Sequence, residues 1–506
     1  MSTETAEPTD REPRDPGGTG GTSLTRNAIG VFGICFFVIA AAAPIAGMTG
    51  LVPSILVIGN GAAAPGTFLV AGLVFMLFSV GYAAMSNHVV HTGAFFAYIG
   101  RGLGVTWGVA SAFVTVMAYC LVQAAVYGYL GATVAGTLPS LDVPWWVWSL
   151  AAVALVQVLG LLHVEFGAKL LGLLLVLEVG SMMLTALAVF LDGGGPDGID
   201  LGASFSPSAI MDGAPGIAFA FAFAGFIGFE ATAIYGEESR NPRRTVPLST
   251  YLSVGIITAV FAVVSFGVVS GVGHTQVADE TVRLTTVGDV PLADPAQVLF
   301  HVADVYVGGW LAELMKWLLI SSAFACVLAF HNSATRYFFA MGRAELLPKA
   351  FGRTNSRGVP AYASFLQTSI AGLVVAAFAL FDLDPVVNLF YWFAITAIVA
   401  LTFVQALVSI SVIVYFRRNG GDTRPWNVLI APALSLAAMV GILYLLLARF
   451  GLISGTAGTS MDAWHMSATG WILALCPFAV FGGAVVYALA TAKKRSENAL
   501  LKEFVS

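Results

Sequence analysis

Apolar stretches long enough to cross a bilayer recur along nearly the whole of this chain. That repetition limits its fold more than any motif does. A hydrocarbon core of about 30 Å needs about 20 residues of α-helix. Runs of that order stand near 29–52, 66–85, 105–134, 145–162, 168–191, 214–236, 248–271, 310–339, 361–381, 386–415, 426–449 and 470–491, about twelve in all. Lipid offers no water to satisfy peptide groups, so spanning segments are helices or closed barrels, and runs of this length are helices. The fold class expected is an all-α polytopic membrane protein. Of the 506 residues, 58% are hydrophobic and 10% charged, too little charge to cover a soluble protein of this size.

The ends and the charges set the frame. Met1–Arg26 is polar and rich in Gly, Pro, Thr and acidic residues, which reads as a disordered cytoplasmic tail and not as a cleavable signal peptide. Cys35, Cys120, Cys326 and Cys476 fall inside expected spans, with no CxxC spacing, and read as small core residues. Lys and Arg placement orients the chain. With the N-terminus inside, the cytoplasmic segments hold Arg101, Arg240, Arg243, Arg244, Arg336, Arg343, Arg417 and Arg418, whereas the outer segments hold Arg283, Arg449 and Lys316. The outer loops are acidic (Asp192, Asp197, Asp200, Asp279, Asp289). The net charge of −5 is thus split across a membrane and gives no sign of a nucleic-acid partner. Both termini are expected in the cytoplasm, in the plasma (inner) membrane of a bacterium. The segment His88–Gly104 is too hydrophobic for a plain loop and reads as a helix at the inner face. The longest outer segment, about 272–309, is too short for a domain of its own.

Two spans are interrupted. The first contains Ala43-Pro44-Ile45-Ala46-Gly47, in which Pro44 lacks a backbone donor and Gly47 weakens the helix. The sixth contains Phe221 to Phe226 followed by Gly228 and Glu230. A carboxylate at membrane depth costs about 2–3 kcal/mol unless it faces protein or water, and broken backbone survives there only in a cavity or inside protein. Interrupted helices at matching places in two halves point to a substrate site near the midplane.

Residues Phe226-Ile-Gly-Phe-Glu230, Glu237-Glu238 and Asn241-Pro-Arg-Arg-Thr-Val-Pro247 resemble the sixth-span signature of the amino acid–polyamine–organocation (APC) permeases. Thr92-Gly-Ala-Phe-Phe-Ala-Tyr98 with Gly102-Leu-Gly104, and Arg336 to Pro348, fit that family's segments after spans 2 and 8. The resemblance covers roughly residues 25–495. It implies a LeuT-type fold: a 5+5 inverted repeat plus two further helices, with helices 1 and 6 discontinuous. The expected organisation is a tail at 1–26, a permease domain at 27–495 and a tail at 496–506. Within the domain, repeat one covers about 27–192, repeat two about 208–415 and the additional helices about 426–491. The implied function is secondary transport of amino acids, driven by a proton or sodium gradient. Exchange, or import of amines, polyamines or another small organic cation, is the alternative. Two departures stand out. The first-span stretch is alanine-rich where many members carry a Gly-Ser-Gly type sequence, and Ala224 stands where many carry an aromatic gate.

Helix N-termini attract anions and C-termini cations, which suits a zwitterion. Its carboxylate is expected on the amides near Ala43–Gly47, and its ammonium on the carbonyls near Phe221, Phe223, Ala224, Gly225 and Phe226. Tyr119, Gln123 and Tyr127 share one face of span 3, and either line the pocket with Phe330 or bond neighbouring helices. Glu230 reads as a coupling or gating carboxylate, or as a cap on the second half of span 6. Glu178, mid-span in LLLVLEVGSMML, falls by the resemblance where some proton-coupled members carry lysine. It reads as a proton or cation coupler, or as a structural glutamate. His331 is a third coupling candidate; Trp392 and Thr396 are weaker pocket candidates. The charges of Glu237–Arg244 form either an inner gate or a solvated loop. The histidines have no ligand spacing and no GxxxxGK[ST] is present, so neither enzyme, metal, cofactor nor protein partner is expected.

Overall fold

Among the described residues, ten helices are long and apolar enough to cross a membrane, and Trp145–Leu161 and Pro215–Ala224 are shorter apolar helices. These twelve segments lie where the apolar runs were expected. The computed structural model describes residues 29–162, 165–356, 358–458, 460 and 462–491. The tails expected at 1–26 and 496–506 lie outside these. Among the described residues there is no β-strand beyond two isolated bridges.

Span 1 is made of α1 (Val31–Ala42) and α2 (Pro44–Ile58), span 2 is α3 (Ala64–Ser86), and α4 (Phe95–Leu103) follows it. Spans 3, 4 and 5 are α5 (Val105–Thr137), α6 (Trp145–Leu161) and α7 (Glu165–Asp192). Span 6 comprises α8 (Pro215–Ala224) and the single turn α9 (Ala231–Ile234), and span 7 is α10 (Pro242–Val272). The outer segment carries α11 (Val277–Thr285) and α12 (Gln297–Tyr306), and spans 8 and 9 are α13 (Gly309–Arg343) and α14 (Ala361–Leu380). Span 10 enters through Pro385–Phe390 and continues as α15 (Tyr391–Asn419); α16 (Ala431–Ala448) and α17 (Ala468–Ala490) complete the set. The helix expected across His88–Gly104 begins only at Phe95, because Thr92-Gly93-Ala94 turns the chain and Ala94 takes φ +39°.

The helices group in a way that isolates the two interrupted spans. Span 7 packs along span 2, and both halves of span 1 and α8 lie against this pair. Spans 3, 4, 8 and 9 pack on one another, and span 5 bridges spans 7 and 8. Spans 11 and 12 lie peripherally, each about 28% buried against 83% for span 3. Their apolar surface therefore faces lipid, and the core lies around spans 1, 3 and 6.

Close packing at the centre depends on missing side chains. A Cβ on Gly47 would meet Phe261 Cζ at 2.8 Å, and one on Gly228 would meet Ala41 Cβ at 2.7 Å. Gly228 also takes φ +105°, a region costly for residues with a Cβ. The breaks of spans 1 and 6 therefore touch directly.

Candidate functional site

Pro44 has no amide hydrogen and its ring excludes a preceding helical turn, so α1 ends at Ala42. Ala43 takes the left-handed conformation, φ 43° and ψ 71°. Gly47 lies inside α2, donating its N–H to Ala43 O (2.7 Å). The Ile45 N–H donates to Glu178 Oε1 (2.7 Å), and Ser322 Oγ donates to the same oxygen (2.7 Å). A buried carboxylate from span 5 thus caps the second half of span 1, where the helix end favours negative charge, and ties it to span 8. Beside Glu178 is a void of about 10 Å³ lined by Ala40, Leu174, Leu175, Ser321, Ser322 and Ala325, room for about one water.

The second break runs from Gly225 to Glu230. Its amides bond i→i−3, as in Phe226 N–H to Phe223 O (3.1 Å) and Ile227 N–H to Ala224 O (3.1 Å). Glu230 is fully buried. Its carboxylate accepts from the Gly228 N–H (3.0 Å) and the Tyr119 hydroxyl (3.1 Å), and its backbone carbonyl accepts from Tyr82 Oη (2.7 Å). The side chain turns back into the break and makes no capping bond to α9.

Between the breaks lies a cavity of about 70 Å³, several times the volume needed for one water. The first break supplies Ala41, Ala42, Ala43, Ala46, Gly47 and Leu51, and span 6 supplies Ala224 and Ile227. Span 3 gives Val122, Ala125, Val126 and Tyr129; Cys326 and Phe330 come from span 8, Phe390 and Ala394 from span 10. On one side Tyr129 and Phe390 stack at 4.9 Å, and the Tyr129 hydroxyl bonds Thr49 Oγ1 (2.9 Å). On the other side Phe330 packs on Tyr119 at 5.9 Å, which packs on Tyr337 at 5.6 Å.

Of the residues singled out from the sequence, Ala43, Ala46, Gly47, Ala224 and Phe330 line this cavity. Pro44 opens α2 behind it, and Ile45 points its amide to Glu178. Tyr119 joins Glu230 beneath Phe330. Gln123 donates to Val327 O (3.0 Å) and Tyr127 (3.3 Å) and accepts from Gln367. Phe221 faces Tyr391, whereas Phe223 and Phe226 pack on Phe75 of span 2 at 4.5 and 4.8 Å. Gly225 lies under Phe261. His331 bonds Ser364 Oγ (2.9 Å), away from both carboxylates. Trp392 donates to Ser454 O (2.9 Å), and Thr396 to Trp392 O (2.8 Å). The cavity-lining Val122, Ala125, Val126 and Tyr129 were not singled out, although Val122 and Val126 stand i+3 and i+7 from Tyr119 on the same side of span 3. Their i, i+3, i+4, i+7 spacing was the signal available, but apolar residues at that spacing are ordinary core.

Beyond Phe330 the arginine-bearing end is closed. Glu238 receives a two-pronged bond from Arg336 (2.6 and 3.0 Å), and Arg336 lies 4.7 Å over the Tyr235 ring, which stacks on Phe37. Glu237 binds Arg343 (2.7 and 3.1 Å) and accepts the Thr92 N–H (2.9 Å). Burial would raise the Glu237 pKa, but the Arg343 bonds and charge outweigh it and hold it at about 2. Nearby His91 is lowered to about 3 by burial and by Arg343 and Arg101, so its ring is neutral at physiological pH. Ile29 pairs with this loop, donating to Glu238 O (3.1 Å) and accepting from the Arg240 N–H (3.0 Å). Among the described residues, no group of three or more His, Cys, Asp or Glu is placed to hold a metal.

A family profile described as amino acid permease matches residues 33–497. The chain is similar to an uncharacterized transporter of Mycobacterium tuberculosis, with 27% identity over 320 residues, 61% of this chain and 64% of the relative. An amino-acid permease of Bacillus subtilis is 24% identical over 61% of this chain and 64% of its own length. A branched-chain amino acid permease of Lactococcus lactis is 26% identical over 31% of this chain and 30% of its own. The chain thus spans about 64% of the length of the first curated relatives it matches.

Proposed function

The chain belongs to the amino acid permease family, and from that premise we propose that it is a secondary transporter of amino acids driven by proton entry. The observation that carries this reading is the cavity between two broken helices that touch. In this reading the positive end of α2, whose Ile45 N–H is held by Glu178, faces the substrate carboxylate, and the carbonyls near Phe221–Phe226 of span 6 face its ammonium. The scaffold corresponds to two inverted five-span halves whose first members are the broken spans, with two spans added. Unequal closure of the cavity supports alternating access in this reading. One aromatic layer, Tyr129 on Phe390, covers the cavity on one side. Phe330, the Tyr119–Glu230 pair and the Arg336–Glu238 bridge cover it on the other. The positive-inside rule puts the arginine-bearing end, and both termini, in the cytoplasm of a bacterial cell.

Glu178 is the proton-coupling residue in this scheme, and Glu230 the gating one. Glu178 holds the break of span 1 and a serine of span 8 with one oxygen. Protonation weakens both bonds and frees α2 to move against span 8. One proton crossing 100 mV supplies about 2.3 kcal/mol, enough for roughly fiftyfold accumulation. The test is uptake into proteoliposomes under an imposed proton gradient. Glu178→Gln and Glu230→Gln, measured separately, are each expected to cut accumulation by about tenfold or more while substrate binding changes less. Unchanged accumulation in both removes the coupling assignment. Uptake that requires preloaded internal amino acid and ignores the pH gradient favours exchange instead.

A further inference from the structure

The cavity wall carries a feature that narrows the cargo. None of its lining residues is acidic, basic or amide-bearing. Its two polar side chains are already engaged: the Tyr129 hydroxyl with Thr49 (2.9 Å), and the Cys326 thiol, which donates to Ala41 O (3.1 Å). The carboxylates on either side of it are turned away, Glu178 to Ile45 and Ser322, Glu230 to Gly228 and Tyr119. Apart from the backbone of the breaks, the wall is hydrocarbon: Leu51, Val122, Val126, Ile227, Phe330 and Phe390.

We infer that the transported amino acid is neutral with a short aliphatic side chain, and that cationic amino acids and polyamines are excluded. This rests on the transport reading above and names the substrate class of the same cavity. The charged ends of any amino acid meet the backbone of the two breaks, so selection falls on the side chain. A side-chain ammonium or guanidinium would lose its water and meet no counter-charge, which is prohibitive without a partner. A short aliphatic group meets only apolar atoms at van der Waals distance. The Phe330 and Phe390 rings already stand on the wall, and selection against a further aromatic ring falls on them. Val122 is a specificity-determining residue in this scheme: it stands where span 3 forms the cavity wall, and each methylene there is worth about 10- to 200-fold in selectivity.

The experiment is uptake of labelled L-alanine, L-valine, L-phenylalanine, L-lysine and putrescine by the full chain in proteoliposomes under a proton gradient. Binding to the detergent-purified protein is followed in parallel by thermal shift. Alanine or valine is expected to exceed lysine, putrescine and phenylalanine by more than about tenfold, and only the first two to shift the melting temperature. Lysine or putrescine uptake equal to that of valine overturns this inference and leaves amino acid transport standing. If none of the five is accumulated or bound, the transport reading falls and takes the inference with it. Val122→Ala is expected to raise the leucine-to-alanine uptake ratio at least about threefold. An unchanged ratio in a variant that still transports alanine overturns the assignment of this wall to the side chain.

Discussion

Single residues at the centre of the molecule are strained, buried or charged where ordinary core would be none of these. Ala43 has a side chain in the left-handed region, φ 43°, where each such residue costs about 1–2 kcal/mol. Pro44 keeps the residue before it out of the right-handed helix, and of the conformations that remain Ala43 takes the left-handed one. Ala43→Gly relieves that strain and loses part of the gain to the more flexible unfolded chain. The expected result is a rise in the apparent melting temperature in detergent, worth up to about 1 kcal/mol. A clear fall would mean that the alanine methyl contributes more through packing than it costs. Glu178 and Glu230 show how little the residue type alone revealed. Both stood out in the sequence as intramembrane acids, but only the fold shows that one binds the break of span 1 and the other the break of span 6.

The short element Gly236–Glu238 joins span 6 to span 8, since its two carboxylates bind Arg343 and Arg336. In the sequence these charges were compatible with either an inner gate or a solvated loop. The structure buries Glu238 and Arg336, and breaking one partner of such a pair leaves the other charged and unpaired. The pH dependence of the outer member follows from its lowered pKa. Glu237 sits at about 2, below its ordinary 4.5, so its contribution is fully present above about pH 4.5 and is lost as pH falls through about 2. Glu237→Gln is expected to lower stability by about 1–3 kcal/mol at neutral pH. It is also expected to flatten the decline of melting temperature in the acid limb. Parallel acid limbs for wild type and variant would show that other carboxylates dominate it.

Across the whole molecule, the thickness of closure differs between the two ends of the cavity, and Cys326 on its wall is a native reporter of that difference. Its thiol is buried, so reaction with a small membrane-impermeant thiosulfonate reports opening. With Cys35, Cys120 and Cys476 replaced by alanine, Phe390→Ala is expected to raise the rate of Cys326 labelling from the face opposite the arginine-bearing end by about tenfold. Saturating substrate should lower that rate in the parent. Faster labelling from the arginine-bearing face instead would reverse the proposed direction of closure.

The spans, their number and their two interruptions were determined by the sequence, because length, apolarity and the position of a proline are properties of a chain read in one dimension. The twelve runs became twelve apolar helical segments, and Ala43-Pro44 and Gly225 to Glu230 became the breaks. The tertiary structure decided which face of each helix meets the cavity. In span 3 the conspicuous Tyr119 and Gln123 bond neighbouring helices, while plain Val122, Val126 and Tyr129 line the cavity. In span 6 the rings of Phe223 and Phe226 go to Phe75, leaving Ala224 on the wall. In a membrane helix both faces are apolar, so periodicity does not separate cavity from lipid or from core. That choice is made only when neighbouring helices, brought within reach by missing side chains at Gly47 and Gly228, fill one side of each helix and leave the other open.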